Sequence, residues 1–319
     1  MRIENLSITE IKLRKASDDL SHVVRFLGAL NPENRSIREI SRYLNKNPGK
    51  ILRPALLFLL CHEYKIKITN DIRKAALVIE IMHNATLLQD DVFDNEKTRR
   101  RKPSANVIFG DTRTILAGDY LLVKAMDILQ GVKSSGIKKI LFDAAYAVCS
   151  GEMDNCDLDD PKEITLKKYM SVIEQKTAAL FQACGEIVHI HVAKQKPEII
   201  AFTRNFGLLY QIMDDLCDAE TLLKGKRRDY TLKDIACLPA VYLIVTNRRS
   251  LFEKDGRIAS KRVLREMKKG DAYARSLQYM RRRFGGCMKT LRKENDLLYV
   301  ILESFYSSIE EFLQTRCKG

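Results

Sequence analysis

The chain has 319 residues, of which 45% are hydrophobic and 30% charged, enough apolar material for a large core, so global disorder is excluded. Lys and Arg number 55 against 41 Asp and Glu, and the resulting net charge of +14 favours anionic partners: phosphates, nucleic acid or an acidic membrane surface. The longest apolar run, Ala55 to Cys61, falls far short of the ~18 residues that a membrane-spanning helix needs.

The opening stretch, MRIENLSITEIKLRKA, is charged throughout and has no apolar leader core, and the eight cysteines form no CxxC pair. The expectation is a cytoplasmic, soluble protein with reduced thiols. A polar loop, NPENR (31–35), precedes GKILRP (49–54), which leads into an apolar helix. Residues 51–109 contain no glycine, and in ALVIEIMHNATLLQDDVFD apolar residues recur every three or four positions, the spacing of a helix. Polar segments at 94–104 (DNEKTRRRKPS), 154–163 (DNCDLDDPKE) and 224–234 (KGKRRDYTLKD) read as loops between helices. Residues 240–319 contain no proline, and their Arg- and Lys-rich runs read as solvated helix faces. No linker and no repeat of fixed period divides the chain. The pattern predicts an all-α protein of ten to twelve helices in a single domain, 1–319.

Two acidic clusters carry the chemistry. Asp90, Asp91 and Asp94 form one DDxxD, and Asp214, Asp215 and Asp218 form another, each behind an apolar run. On a helix, positions i and i+4 share a face, so Asp90 projects with Asp94 and Asp214 with Asp218. Like charges so placed repel and call for a cation. Magnesium suits them, because it takes oxygen ligands and usually binds one or two carboxylates together with substrate phosphates. Two such helices facing each other would place opposed carboxylates at the mouth of a cavity, an arrangement suited to a diphosphate bridged by metal ions. Lys50, Arg53 and the run Arg99, Arg100, Arg101 flank the first cluster, with the residue types that bind phosphate. His83 lies two helical turns before Asp90, near the same face.

With these residues in place, the chain resembles the trans-polyprenyl (isoprenyl) diphosphate synthases. The matching segments are GKILRP (49–54), HNATLLQDDVFDNEKTRRRKPSANVIFG (83–110), AGDYLL (117–122), IEQKTAALF (173–181) and YQIMDDLCD (210–218), all in order. The resemblance implies a helical bundle of the isoprenoid synthase type with a central apolar cavity. It implies condensation of isopentenyl diphosphate with an allylic prenyl diphosphate, two or three magnesium ions, and a homodimer. By the same resemblance Asp90, Asp91 and Asp94 bind magnesium and the allylic diphosphate, and Asp214, Asp215 and Asp218 hold a further magnesium. The direct metal ligands are Asp90, Asp94 and Asp214. Lys50, Arg53 and His83 would bind isopentenyl diphosphate. Arg99 would contact the allylic diphosphate and Arg100 isopentenyl diphosphate, while Lys176, Thr177 and Gln211 would contact the allylic substrate. Lys226 would contribute from the loop after the second motif. In this family bulky aromatics four or five residues before the first motif block the product channel early. Ala85 and Thr86 are small, which implies a product longer than four prenyl units, whose release could involve peripheral contact with a membrane.

The chain departs from the family pattern at several positions. Gln89 stands where a histidine is common, Ile51 where a basic residue is usual, Pro48 and Arg101 where glycines are usual, and Asn155 where a glutamine is expected. The loop after the second motif is shortened and has lost its second GK. A terpene cyclase on the same scaffold would not need Lys50, Arg53, His83 and Arg100. A non-catalytic partner subunit would not need six motif aspartates. A nucleic-acid binder finds no motif and no aromatic–basic interleaving here, with no Trp in the chain.

Overall fold

The computed structural model describes residues 18–28, 32–46, 49–100, 102–157, 164–224, 237–246, 251–252 and 259–317. Helices dominate these residues, as the periodicity predicts. The sheet among them is a short antiparallel pair, β1 (Thr98–Arg99) with β2 (Lys102–Pro103). The chain divides into two compact units, Met1–Ala145 with Ala183–Lys196, and Tyr146–Gln182 with Pro197–Gly319.

The first unit holds α1 (Arg35–Asn45), α2 (Leu52–Glu63), α3 (Asn70–Phe93), the hairpin, α4 (Ala105–Phe109), α5 (Asp111–Gln130) and the start of α6 (Ser135–Asp157). Its centre is α3. Every residue from Ala75 to Met82 is buried, so this stretch is a core helix rather than a surface amphipath. The Thr69 hydroxyl caps its first turn, accepting from the Ile72 amide at 3.3 Å. Gly118 lets α5 approach closely: a Cβ there would stand 3.2 Å from the Ala85 carbonyl oxygen and 3.1 Å from Gln89 Cγ. Asp71 Oδ2 accepts from the amides of Lys133 and Ser134, each at 2.9 Å, pinning the connection between α5 and α6 to α3. Asp71→Ala should therefore cost about 1–2 kcal/mol of stability, the range for removing a side chain that satisfies orphan amides, read as a lower urea midpoint at unchanged slope.

The second unit holds the end of α6, α7 (Leu166–Ile173), a π-turn (Glu174–Ala178), the start of α8 (Ala179–His189), α9 (Pro197–Lys224), α10 (Leu238–Thr246), α11 (Ser260–Met267), α12 (Asp271–Glu294) and α13 (Asp296–Cys317). An aromatic cluster ties its helices together. The Phe206 ring on α9 lies 5.4 Å from Phe181, 6.0 Å from Phe202 and 4.8 Å from Phe305 on α13. Gly207 admits the π-turn, since a Cβ there would meet Ala178 Cα at 2.7 Å.

Two segments read as loops are structured in part. Within 94–104 the chain forms the β1–β2 hairpin, which turns at Arg100 with φ of 52°, the left-handed conformation that two-residue hairpin turns require. Asp154 to Asp157 continue α6, while 158–163 lie outside the described residues. No helix among the described residues is long and apolar enough to cross a membrane.

Candidate active site

The first aspartate motif sits at the C-terminus of α3, where the chain closes the helix with a double-bonded cap. The Asn95 amide donates to the Val92 carbonyl at 3.1 Å and the Glu96 amide to the Asp91 carbonyl at 2.9 Å. Asn95 adopts φ of 50°, a conformation that asparagine tolerates better than most residues. The negative end of the helix dipole therefore coincides with three carboxylates, and both favour a nearby cation.

Part of that compensation comes from the hairpin. Arg99 Nε donates to Asp91 Oδ1, and Asn106 Nδ2 donates to the Asp91 carbonyl at 3.0 Å. Asp91 is buried, and burial raises its pKa against the opposing pull of Arg99. Asp90 is half-buried and Asp94 exposed. Arg100 folds the other way, with its guanidinium lying where a Cβ on Gly49 would stand, so the glycine of GKILRP reserves space for this arginine. Gln89 donates to Asp119 Oδ1 on α5 at 3.0 Å, keeping a donor at the position where histidine is common.

The cations expected to bind isopentenyl diphosphate lie in the same unit. Arg53 is buried in the first turn of α2, and Lys50 is exposed just before it. Ile51 is buried between them with φ of 48°, a conformation that costs a β-branched residue about 1–3 kcal/mol and so marks a constrained turn. It adds no charge to the site. Burial, together with the positive charges of Arg53, Arg100 and Arg99, pushes the His83 imidazole well below its usual pKa, so it stays neutral. Sequence reading passed over Glu80, three residues before His83. It is buried at 2% exposure, and its Oε2 has no hydrogen-bond partner among the described residues. Burial raises its pKa, while Arg53 and Arg100 pull it down.

In the second unit, the second motif lies within α9. Asp215 Oδ1 accepts from Gln211 Nε2 at 2.7 Å, and Asp215 Oδ2 accepts from the Tyr169 hydroxyl at 2.5 Å. Gln211 Oε1 in turn accepts from the Thr177 hydroxyl at 2.6 Å. Three predicted residues, Thr177, Gln211 and Asp215, thus form one hydrogen-bonded chain. Tyr169, which ends it, carries no motif signal and was missed. Burial pushes Asp215 up to about 7, against the lowering effect of its two hydrogen bonds. Asp214 and Asp218 are exposed. Lys176 sits in the π-turn and pairs with Glu152 on α6 at 2.8 Å. Lys226, Pro48, Arg101 and most of the altered loop at 224–238 lie outside the described residues.

The motifs share one internal logic. In each, the middle aspartate is engaged by protein donors, and the outer pair stands one helical turn apart and nearer the surface. Among the described residues no three His, Cys, Asp or Glu side chains are grouped as a metal cage. Magnesium does not require such a cage, since it usually binds one or two carboxylates and completes its octahedron with water and substrate phosphate.

The polyprenyl synthetase family profile matches residues 34–269. The geranylgeranyl diphosphate synthase of Methanosarcina mazei is 31% identical over 224 residues, 66% of each chain. The octaprenyl diphosphate synthase of Haemophilus influenzae is 32% identical over 228 residues, 69% of this chain and 68% of its own. Among solved structures, a decaprenyl diphosphate synthase from Rhodobacter capsulatus superposes with a TM-score of 0.74 at 21% identity, covering 95% of this chain and 99% of its own. A heptaprenyl diphosphate synthase from Staphylococcus aureus gives 0.72 at 22%, covering 92% and 98%. The fold is that of the isoprenoid synthases, and the chain belongs to the polyprenyl synthetase family.

Proposed function

We propose that this chain is a trans-prenyltransferase that condenses isopentenyl diphosphate with an allylic prenyl diphosphate, giving an all-trans polyprenyl diphosphate of more than four units. The supporting observation is the gathering, in the first unit, of Arg53, Arg99 and Arg100 around a neutral His83 beside the first aspartate motif. A cyclase acting on one diphosphate has no use for this second set of cations. The family match runs through both units, which supports their working as one catalytic domain.

Asp90, Asp94 and Asp214 would hold two or three magnesium ions, which when bound supply positive charge to the diphosphate oxygens. The chain's own groups do the rest. Arg99, Lys176, Thr177 and Gln211 bind and orient the allylic diphosphate, and Asp91, Asp215 and Asp218 complete the two acidic sites. Lys50, Arg53, His83 and Arg100 bind isopentenyl diphosphate, with Lys226 contributing from the loop. The allylic C–O bond breaks, and the departing diphosphate keeps the electron pair. The double bond of isopentenyl diphosphate attacks the allylic cation, and the proton lost from the adduct goes to the departed diphosphate. Fixed guanidinium groups stabilise the charge that develops on the leaving group.

The test gives purified protein magnesium, labelled isopentenyl diphosphate and allylic primers of two, three and four prenyl units, then sizes the dephosphorylated products. Labelled polyprenols are expected. Primer consumed without label, yielding a hydrocarbon, would establish a cyclase instead. Thr86 is part-buried, and its hydroxyl donates to the His83 carbonyl at 2.9 Å. Thr86→Phe should shift the products to shorter chains by filling space next to the first motif; an unchanged distribution would place the length limit elsewhere. A homodimer is expected from light scattering. A cytoplasmic location, with membrane contact confined to product release, fits a chain whose described helices include none able to span a bilayer.

A further inference from the structure

We propose that Glu152 is a positioning residue for Lys176, an inference that rests on the prenyltransferase reading above. Lysine is a point charge on a long flexible stem, and fixing it in one place costs rotamer entropy. Lys176 stands in a π-turn, a local widening of the helix that recurs at functional sites. The end of α6 grips that turn in three ways. Gly151 brings the two backbones together, for a Cβ there would meet the Lys176 amide nitrogen at 2.6 Å. Glu152 Oε2 pairs with Lys176 Nζ at 2.8 Å, with the two side chains 17% and 21% exposed. Asp154 accepts from Gln175 Nε2 at 3.0 Å and from Lys168 Nζ at 2.5 Å. Gly151 and Glu152 therefore act together: the glycine sets the distance, and the glutamate takes up the lysine head. An ammonium carries three donors, so an oxygen of Glu152 and an oxygen of a diphosphate can be held at once. The ordering of Lys176 is complete before substrate arrives.

The sign of the effect separates positioning from simple electrostatics. Removing a negative charge beside an anion site strengthens anion binding if only charge matters. If Glu152 holds Lys176 in place, its loss weakens binding. Calorimetry would measure the affinity for an unreactive allylic thiolodiphosphate in magnesium buffer, alongside steady-state turnover with both substrates. Glu152→Gln is expected to weaken the allylic analogue about tenfold, the low end for removing a residue that orients a ligand-binding group. KM for isopentenyl diphosphate and the melting temperature should stay at wild-type values, and Glu152→Asp should recover part of the loss. In a Lys176→Ala background the same substitution should change nothing further. Unchanged or tighter binding, equal losses for both substrates, or full additivity with Lys176→Ala would each overturn the proposal. A wild-type protein that binds the analogue but turns over no primer would sink the prenyltransferase reading, and the binding series would still decide the role of Glu152.

Discussion

Asp90→Ala should lower kcat for prenyl transfer by about a thousandfold, the upper range for removing one fixed electrostatic stabiliser from an active site. The fold should not suffer. Asp90 lies one turn from the end of α3, where the backbone already carries partial negative charge and where Asp91 and Asp94 add two more carboxylates. Deleting a carboxylate there relieves repulsion, so stability should hold or rise by about 0.3–1 kcal/mol. Activity and stability thus move in opposite directions, the mark of a group kept for chemistry at a cost to the fold. Urea titration and single-turnover kinetics on the same preparation would check both. A variant that loses activity only in proportion to lost folded protein would show that Asp90 serves the helix rather than the reaction.

Phe206→Ala is the largest structural loss expected, about 3–5 kcal/mol, as for other buried phenylalanines truncated to alanine. The ring is buried and packs against Phe181, Phe202 and Phe305, drawing α8, α9 and α13 together. Edge-on packing with Phe181 and Phe305 adds directional preference to the area buried. The damage should reach the site as well. Gly207, the next residue, touches Ala178 at the end of the π-turn, and Gln211, one turn further along α9, accepts from Thr177. A loosened joint at Phe206 would lengthen that hydrogen bond. The expected result is a much lower denaturation midpoint together with a raised KM for the allylic primer, both largely restored in Phe206→Leu. A small stability change would mean that the cavity collapses around the missing ring.

The all-helical character could be read from the sequence because breakers are scarce and apolar spacing repeats, both local signals. Both aspartate motifs were equally plain. What spacing could not reveal is how the aspartates divide their work. Three acids within five residues look alike until the hairpin delivers Arg99 and α4 delivers Asn106 to Asp91, and until α7 delivers Tyr169 to Asp215. Arg99 was already in view as a flanking cation, but spacing did not say which aspartate it would meet, and Tyr169 carries no motif and lies 46 residues from its partner. The π-turn was invisible for a related reason: EQKTA has an ordinary helix composition, and the close approaches at Gly151 and Gly207 that flank the turn are tertiary contacts. The departures proved easier to explain once placed. Gln89 keeps a hydrogen bond to Asp119, and Ile51 turns inward instead of contributing charge.

The cap that ends α3 has a mechanical corollary. Its amide-to-carbonyl bonds run from Asp94, Asn95 and Glu96 back to Asp90, Val92 and Asp91, all within seven consecutive residues. None of them borrows from the ribbon at 98–103 that carries Arg99 and Arg100. Main-chain bonds fix the helix end that carries the aspartates, and Arg99 reaches Asp91 through its side chain alone. The acidic end of α3 therefore holds its shape without help from the ribbon, so a substitution at Arg99 should remove a charge from Asp91 and leave the end of the helix intact.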